Sequence, residues 1–275
     1  MPGQDVLVVI DNEASVARRL APVAALARRG EIRVTGMYVT GLPVSQAFAD
    51  LDGWAQLADA YMTAQRAEAL KAERGFRQEL ARLKLTGDWH CRETDMTEGV
   101  IALARLHDLV VMGQPDPDAL PNALRPGEVV LAAGRPALIV PYVGDFAELG
   151  RRVLVAWNGT REAARALHDA LFLIDAGEAV TVLEIDPPDG VEGDLELRAS
   201  HVVAALKRRG VSATVETTVS DGTPVADIIL SLAADLTADL VVMGAWGHSR
   251  LREFVLGGAS RGILQEMTVP VLMSH

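Results

Sequence analysis

Asp108-Leu109-Val110-Val111-Met112-Gly113 and Asp239-Leu240-Val241-Val242-Met243-Gly244 are the same hexapeptide at two places in one chain. Each runs through four apolar residues without alternation, the pattern of a strand buried on both faces of a parallel sheet. The repeat extends outward from there. Val6-Leu7-Val8-Val9-Ile10-Asp11 opens the chain and Val153-Leu154-Val155-Ala156-Trp157-Asn158 opens its second half, each followed by a helical stretch rich in Ala, Leu and Arg. Each half closes on a short apolar run beside a proline, Pro136-Ala137-Leu138-Ile139-Val140 and Pro270-Val271-Leu272-Met273. Three matches in the same order point to two copies of one unit.

Composition bounds what such a pair can be. A chain of 275 residues with 49% hydrophobic content can furnish two cores, and with aromatics at only 4% those cores are built of Val, Leu, Ala and Ile. Met1-Pro2-Gly3-Gln4-Asp5 lacks a basic flank and leads into an apolar run too short for a signal peptide or a membrane span. A soluble, cytoplasmic protein with no membrane partner is expected. Cys91 is the single cysteine, which excludes an intrachain disulfide and fits a reducing compartment. A net charge of −11 repels polyphosphate backbones, so nucleic acid is not the expected partner.

In the second half, Val-rich runs near 152–157, 179–185, 212–219, 239–244 and 269–273 alternate with helical stretches at 161–175, 194–209, 223–236 and 258–267. Asn158-Gly159-Thr160 offers an N-cap before Arg161, and Arg208-Arg209-Gly210 reads as a cationic last turn with a glycine stop. The first half follows the same order with runs near 5–10, 31–39, 87–93, 108–113 and 136–141. It carries an insert from Thr40 to about Leu85 that holds a covering loop, 41–53, and one long helix, 54–84. Strand alternating with helix is the grammar of an α/β fold, so two tandem open-sheet domains are predicted, each with a five-stranded parallel sheet flanked by helices. The boundary is expected between Val143 and Gly150, giving domains 1–144 and 150–275.

Ligands of open parallel sheets bind beyond the carboxyl ends of the strands, which directs attention to the loops after the first and fourth strands of each half. The second fourth-strand loop reads Gly244-Ala245-Trp246-Gly247-His248, continues to Gly257-Gly258-Ala259-Ser260, and then opens the last helix. Glycines admit a ligand close to the backbone, and a helix N-terminus offers free amides to phosphate. His248, Arg250, Arg252 and Arg261 make this segment basic in an acidic protein. The competing reading is structural, with glycines serving a tight turn and close packing of helix on sheet. Neither a Walker motif nor a Gly-x-Gly-x-x-Gly fingerprint is present, which removes the main support for Walker-type hydrolysis and for dinucleotide chemistry.

The repeat, the strand order and Gly244-x-x-Gly247 followed by nine residues and Gly257 resemble the universal stress protein family in its tandem form, with a Rossmann-like, adenine nucleotide alpha hydrolase-like fold. The resemblance implies ATP, with or without Mg²⁺, as ligand and a role in stress response through nucleotide-dependent changes of conformation or partner. It places Gly244, Gly247, Gly257, Gly258 and Ser260 near ribose and phosphates, and Ala156 and Met243 against the nucleoside. Asn158 stands where the family has an Asp near adenine and ribose, and Gly258 where a Ser or Thr commonly stands. The resemblance also implies that the fifth strands, Ala137 to Val140 and Val271 to Met273, pair edge to edge within the chain, and extends the same habit to a homodimer.

The first half keeps Asp11 but reads Gln114-Pro115-Asp116-Pro117-Asp118 after Gly113, with carboxylates where phosphates would lie. Its site is expected to be degenerate. No catalytic set is assembled. Only His248 of the six histidines lies on a site loop, as a phosphate contact or loop-shaping residue, and slow ATP hydrolysis is the most that the resemblance allows. Trp157 and Trp246 adjoin the site as stacking or packing residues. The alternative from a different class is an interaction protein of the same fold that binds no nucleotide and uses the long helix and its preceding loop.

Overall fold

The computed structural model describes residues 3–41, 54–115, 124–174, 179–187, 198–246 and 258–275. Contacts divide the chain into two units, Met1–Arg135 and Pro136–His275. The first contains β1 (Gln4–Val9), α1 (Ser15–Ala27), β2 (Ile32–Thr40), α2 (Trp54–Leu83), β3 (Thr86–Glu93), α3 (Met96–Ala104), β4 (Leu109–Gly113) and α4 (Pro126–Ala133). Its strands run β3-β2-β1-β4, all parallel. The two strands most apolar in sequence are central: Val6, Leu7 and Val8 of β1 and Leu109 through Met112 of β4 are fully buried.

The second unit contains β5 (Ala137–Val140), β6 (Arg152–Trp157), α5 (Arg161–Ala170), β7 (Ala179–Ile185), α6 (Ala199–Arg208), β8 (Ser212–Thr218), α7 (Val225–Asp235), β9 (Leu240–Gly244), α8 (Gly258–Glu266) and β10 (Val271–Ser274). Strands β10-β9-β6-β7-β8 are parallel, and β5 lies antiparallel on β10 with Leu138 opposite Leu272. Strand β5 thus ends the first copy of the repeat in sequence and packs with the second unit in space. The parallel α/β architecture and the pairing of the two terminal strands of the repeats agree with the sequence.

Local signals explain the boundaries. Thr160 is the N-cap of α5, its side chain accepting from the Ala163 N–H at 3.3 Å. Gly210 takes φ 78° after α6 and donates to Lys207 O at 3.0 Å, while Val211 N–H reaches Leu206 O at 3.1 Å, a glycine stop. Helix α5 ends at Ala170, shorter than the expected 161–175, because the chain turns with Leu173 N–H on Ala170 O at 2.8 Å. Helix α2 fills nearly all of 54–84 and ends where Lys84 adopts φ 57°. All but Gly41 of the expected covering loop, 41–53, and the start of the expected helix, 194–197, lie outside the described residues. Among the described residues no helix is long and apolar enough to cross a membrane.

Candidate functional site

Strand β6 pairs with β7 on one side and β9 on the other, and β9 is followed by β10 on its far side, so the chain leaves the carboxyl ends of β6 and β9 in opposite directions, the position at which open parallel sheets form a crevice. The register sets Ala156 directly opposite Met243, and Gly244 opposite Ser274. Met243 is buried and Ala156 half-buried, so these two form an apolar base. Asn158, just past β6, is exposed at the mouth. Its Oδ1 accepts from Thr160 N–H at 3.3 Å and from Thr160 Oγ at 2.8 Å, a local turn in which the side-chain amide hydrogens have no partner among the described residues.

Gly244 has a structural duty that the sequence left open. A Cβ there would run into Ala163 N and stand 2.5 Å from Glu162 C and 2.9 Å from Glu162 Cβ, so the first turn of α5 packs directly on this glycine. Glu162, a residue that the sequence did not single out, is only 6% exposed and pairs with Arg161 Nε. Burial works to raise its pKa, yet the bonds from Arg161 and from its own backbone N–H, with the nearby His275, hold the Glu162 carboxyl below its ordinary range. His275 Nδ1 lies 2.9 Å from Ala245 O. Trp157 is buried packing, whereas Trp246 is half-buried at φ 59° with its Nε1 buried and unpartnered among the described residues.

Two helix N-termini flank the strand ends, and they differ. That of α5 is already served by Thr160 and carries Glu162 in its first turn. Helix α8 connects β9 to the parallel β10, so it runs back along the sheet and its first turn lies at the same edge as the crevice. That turn holds no acidic residue, Gly258 is exposed, and a Cβ on Gly258 would meet no atom of the described residues. Ser260 is buried at 3% exposure, so the first-turn backbone is more open than the hydroxyl. Gly247, His248 and Gly257 lie outside the described residues, as do Arg250 and Arg252. Among the described residues no group of three His, Cys, Asp or Glu side chains could hold a metal ion, and Asp116 and Asp118 lie outside them.

The matching crevice of the first unit, between β1 and β4, is filled from within. Arg19 of α1 donates from Nη1 to Val9 O and from Nη2 to the Asp11 carboxylate, and it is 5% exposed. A Cβ on Gly113 would lie against Arg19 Nη2 and 3.0 Å from its Cζ. Cys91, on β3, is exposed as a residue, yet partial desolvation of its thiol, together with Glu73 and Glu93, pushes its pKa up, the opposite of an activated thiol.

Residues 150–275 match the model of the Universal stress protein family. A comparison with curated proteins finds no significant match. In fold the chain is similar to a universal stress protein from Archaeoglobus fulgidus DSM 4304, with a TM-score of 0.68 and 18% identity over 98% of this chain and 96% of that one. It is also similar to a functionally unknown protein from Pseudomonas aeruginosa PAO1, with a TM-score of 0.58 and 16% identity over 98% of this chain and 92% of that one. Identities this low speak to the fold alone. Residues 150–275 are thus similar in sequence to the universal stress protein family, and the chain over nearly its whole length is similar in fold to a universal stress protein structure.

Proposed function

We propose that the second unit binds one adenine nucleotide, ATP with Mg²⁺, in the crevice at the ends of β6 and β9, and that binding changes the conformation or partners of the protein in a stress response. The supporting observation is the pairing of an apolar base, Ala156 opposite Met243, with a first turn of α8 that is clear of the described residues at Gly258. Backbone amides of that turn and the positive end of its dipole suit phosphate, and the side-chain amide hydrogens of Asn158 suit an acceptor on base or ribose. Met243 and Ala156 would lie against the nucleoside, and Gly244, Gly247, Gly257, Gly258 and Ser260, with His248, would surround ribose and phosphates. Having Asn rather than Asp at 158 removes one negative charge from the mouth, which favours an anionic ligand. Bound ATP would bring phosphates and a magnesium site to this loop; the chain's own residues bind and orient it.

The test is calorimetric titration of nucleotide-stripped full-length protein with ATP and Mg²⁺, together with Gly258→Asp, which sets a carboxylate in that first turn without filling a position packed by the described residues. One site per chain, weakened at least about tenfold by Gly258→Asp, is the expected result, about 1.4 kcal/mol of binding free energy. Absence of binding to the stripped protein, with no nucleotide released on stripping, would overturn the proposal in favour of an interaction protein that needs no nucleotide.

A further inference from the structure

Arg19 lies eight residues after Asp11, and the residue eight after Asn158 is Ala166, so one position of the repeat carries a guanidinium in the first unit and a methyl in the second. The packing differs accordingly. In the second unit the backbone of α5 sits directly on Gly244, whereas in the first the three atoms nearest to a Cβ on Gly113 all belong to the Arg19 guanidinium. The groups around that guanidinium are acceptors: the Val9 carbonyl, the Asp11 Oδ2, and an Asp11 Oδ1 that is buried without a partner among the described residues. Acceptors on one side and a side-chain-free glycine on the other make a flat, anionic slot, which fits a planar cation with several N–H donors and repels phosphate.

We infer that the crevice between β1 and β4 is a guanidinium-binding site whose ligand is the chain's own Arg19. The fork of N–H donors on Arg19 spans Val9 and Asp11, neutralises the carboxylate that opens the crevice, and seats the guanidinium on Gly113. The first unit is therefore closed to nucleotide by an internal ligand as well as by the sequence after Gly113. The two halves of the repeat have opposite preferences, a cation in the first and an anion in the second. The inference does not depend on nucleotide binding by the second unit, since every group it uses belongs to the first.

The test is cavity rescue in the full-length chain. Arg19→Ala leaves the half-buried Asp11 carboxylate without its guanidinium partner and opens a slot the size of a guanidinium, so its melting temperature is expected to fall. Millimolar methylguanidinium chloride, compared with sodium chloride at equal ionic strength, is expected to raise that temperature saturably. Wild-type protein and Arg19→Ala/Asp11→Asn are expected to show no such rise. If Arg19→Ala melts like wild type, or gains nothing specific from methylguanidinium, the inference is overturned. Should Arg19→Ala fail to fold, labelling of the unmodified chain with phenylglyoxal decides: Arg19 is expected to react at least about tenfold more slowly than the exposed Arg33 and Arg77, because reaction requires local opening. Equal rates at the three arginines would overturn it.

Discussion

The aspartate that opens each copy of the hexapeptide serves the strand beside it. Asp239 accepts backbone N–H bonds from Gly150 at 2.7 Å, Arg151 at 3.0 Å and Arg152 at 3.0 Å, and so fixes the start of β6. Asp108 serves β1 in the same way, accepting from Asp5 N–H at 2.9 Å. Asp239→Ala strands three donors at once and is expected to cost roughly 1.5–3 kcal/mol, with Asp108→Ala costing less. Urea denaturation of the two variants checks this, and an equal or larger effect at Asp108 would contradict it. Glu162 gives a pH prediction. Its carboxyl is held below the ordinary range in the folded chain, so the unfolded chain binds that proton more tightly. Its stabilising contribution is then fully present above the unfolded pKa and is lost as pH falls through the lowered folded value. Glu162→Gln is expected to flatten the acid limb of a plot of melting temperature against pH, leaving the region around neutrality nearly flat as before. An unchanged acid limb would mean that Arg161 does not hold the carboxylate.

Among the elements, α2 shows which contacts carry energy. Its exposed face is laced with ion pairs such as Arg77–Glu73 at 2.7 Å and Arg82–Glu79 at 2.6 Å, which solvent screens to little net stability. Its buried face presents Phe76, 1% exposed, whose ring centroid lies 5.2 Å from that of Trp89 on β3. Phe76→Ala is expected to cost roughly 3–5 kcal/mol, against a few tenths for Arg77→Ala, and a denaturation midpoint for each variant checks the contrast. The same contrast marks what could be read from the sequence. Strands β1, β4, β6 and β9 were legible because residues buried on both faces leave an unbroken apolar run, and α5 was legible from Thr160 because capping is local. Arg19 and Glu162 were not. Each sits among other charged residues at the solvent-like spacing of a helix, Arg18-Arg19 and Arg161-Glu162, and only packing against Gly113 and Gly244 turns one member of each pair inward. Of the residues proposed for the site, Ala156 and Met243 are set opposite one another by strand register, which the apolar runs of β6 and β9 made readable. The packing duty of Gly244 was not readable, since a glycine is written identically whether ligand or helix lies above it.

At the scale of the molecule, the repeat in sequence and the units in space divide the chain differently, and the reason is the edge of β10. Val271, Leu272 and Met273 are fully buried, and the free side of this strand is covered by β5, which pairs Ile139 with Val271 and Ala137 with Met273. A fragment cut at the sequence repeat, residues 150–275, removes β5 and leaves an apolar strand with an unpaired row of backbone donors and acceptors. Burying that row again requires another strand, and the nearest substitute is β10 of a second copy in the same antiparallel sense. Residues 150–275 are therefore expected to self-associate far more strongly than residues 136–275, which keep β5. Light scattering of the two fragments over a range of concentrations distinguishes them: a dimer or larger species for 150–275 at concentrations where 136–275 remains smaller is the expected outcome. A charge at the centre of the strand, Leu272→Lys, should suppress association of the shorter fragment. Equal association of both fragments would show that β5 does not protect β10, and that the antiparallel pair contributes little to holding the second unit together.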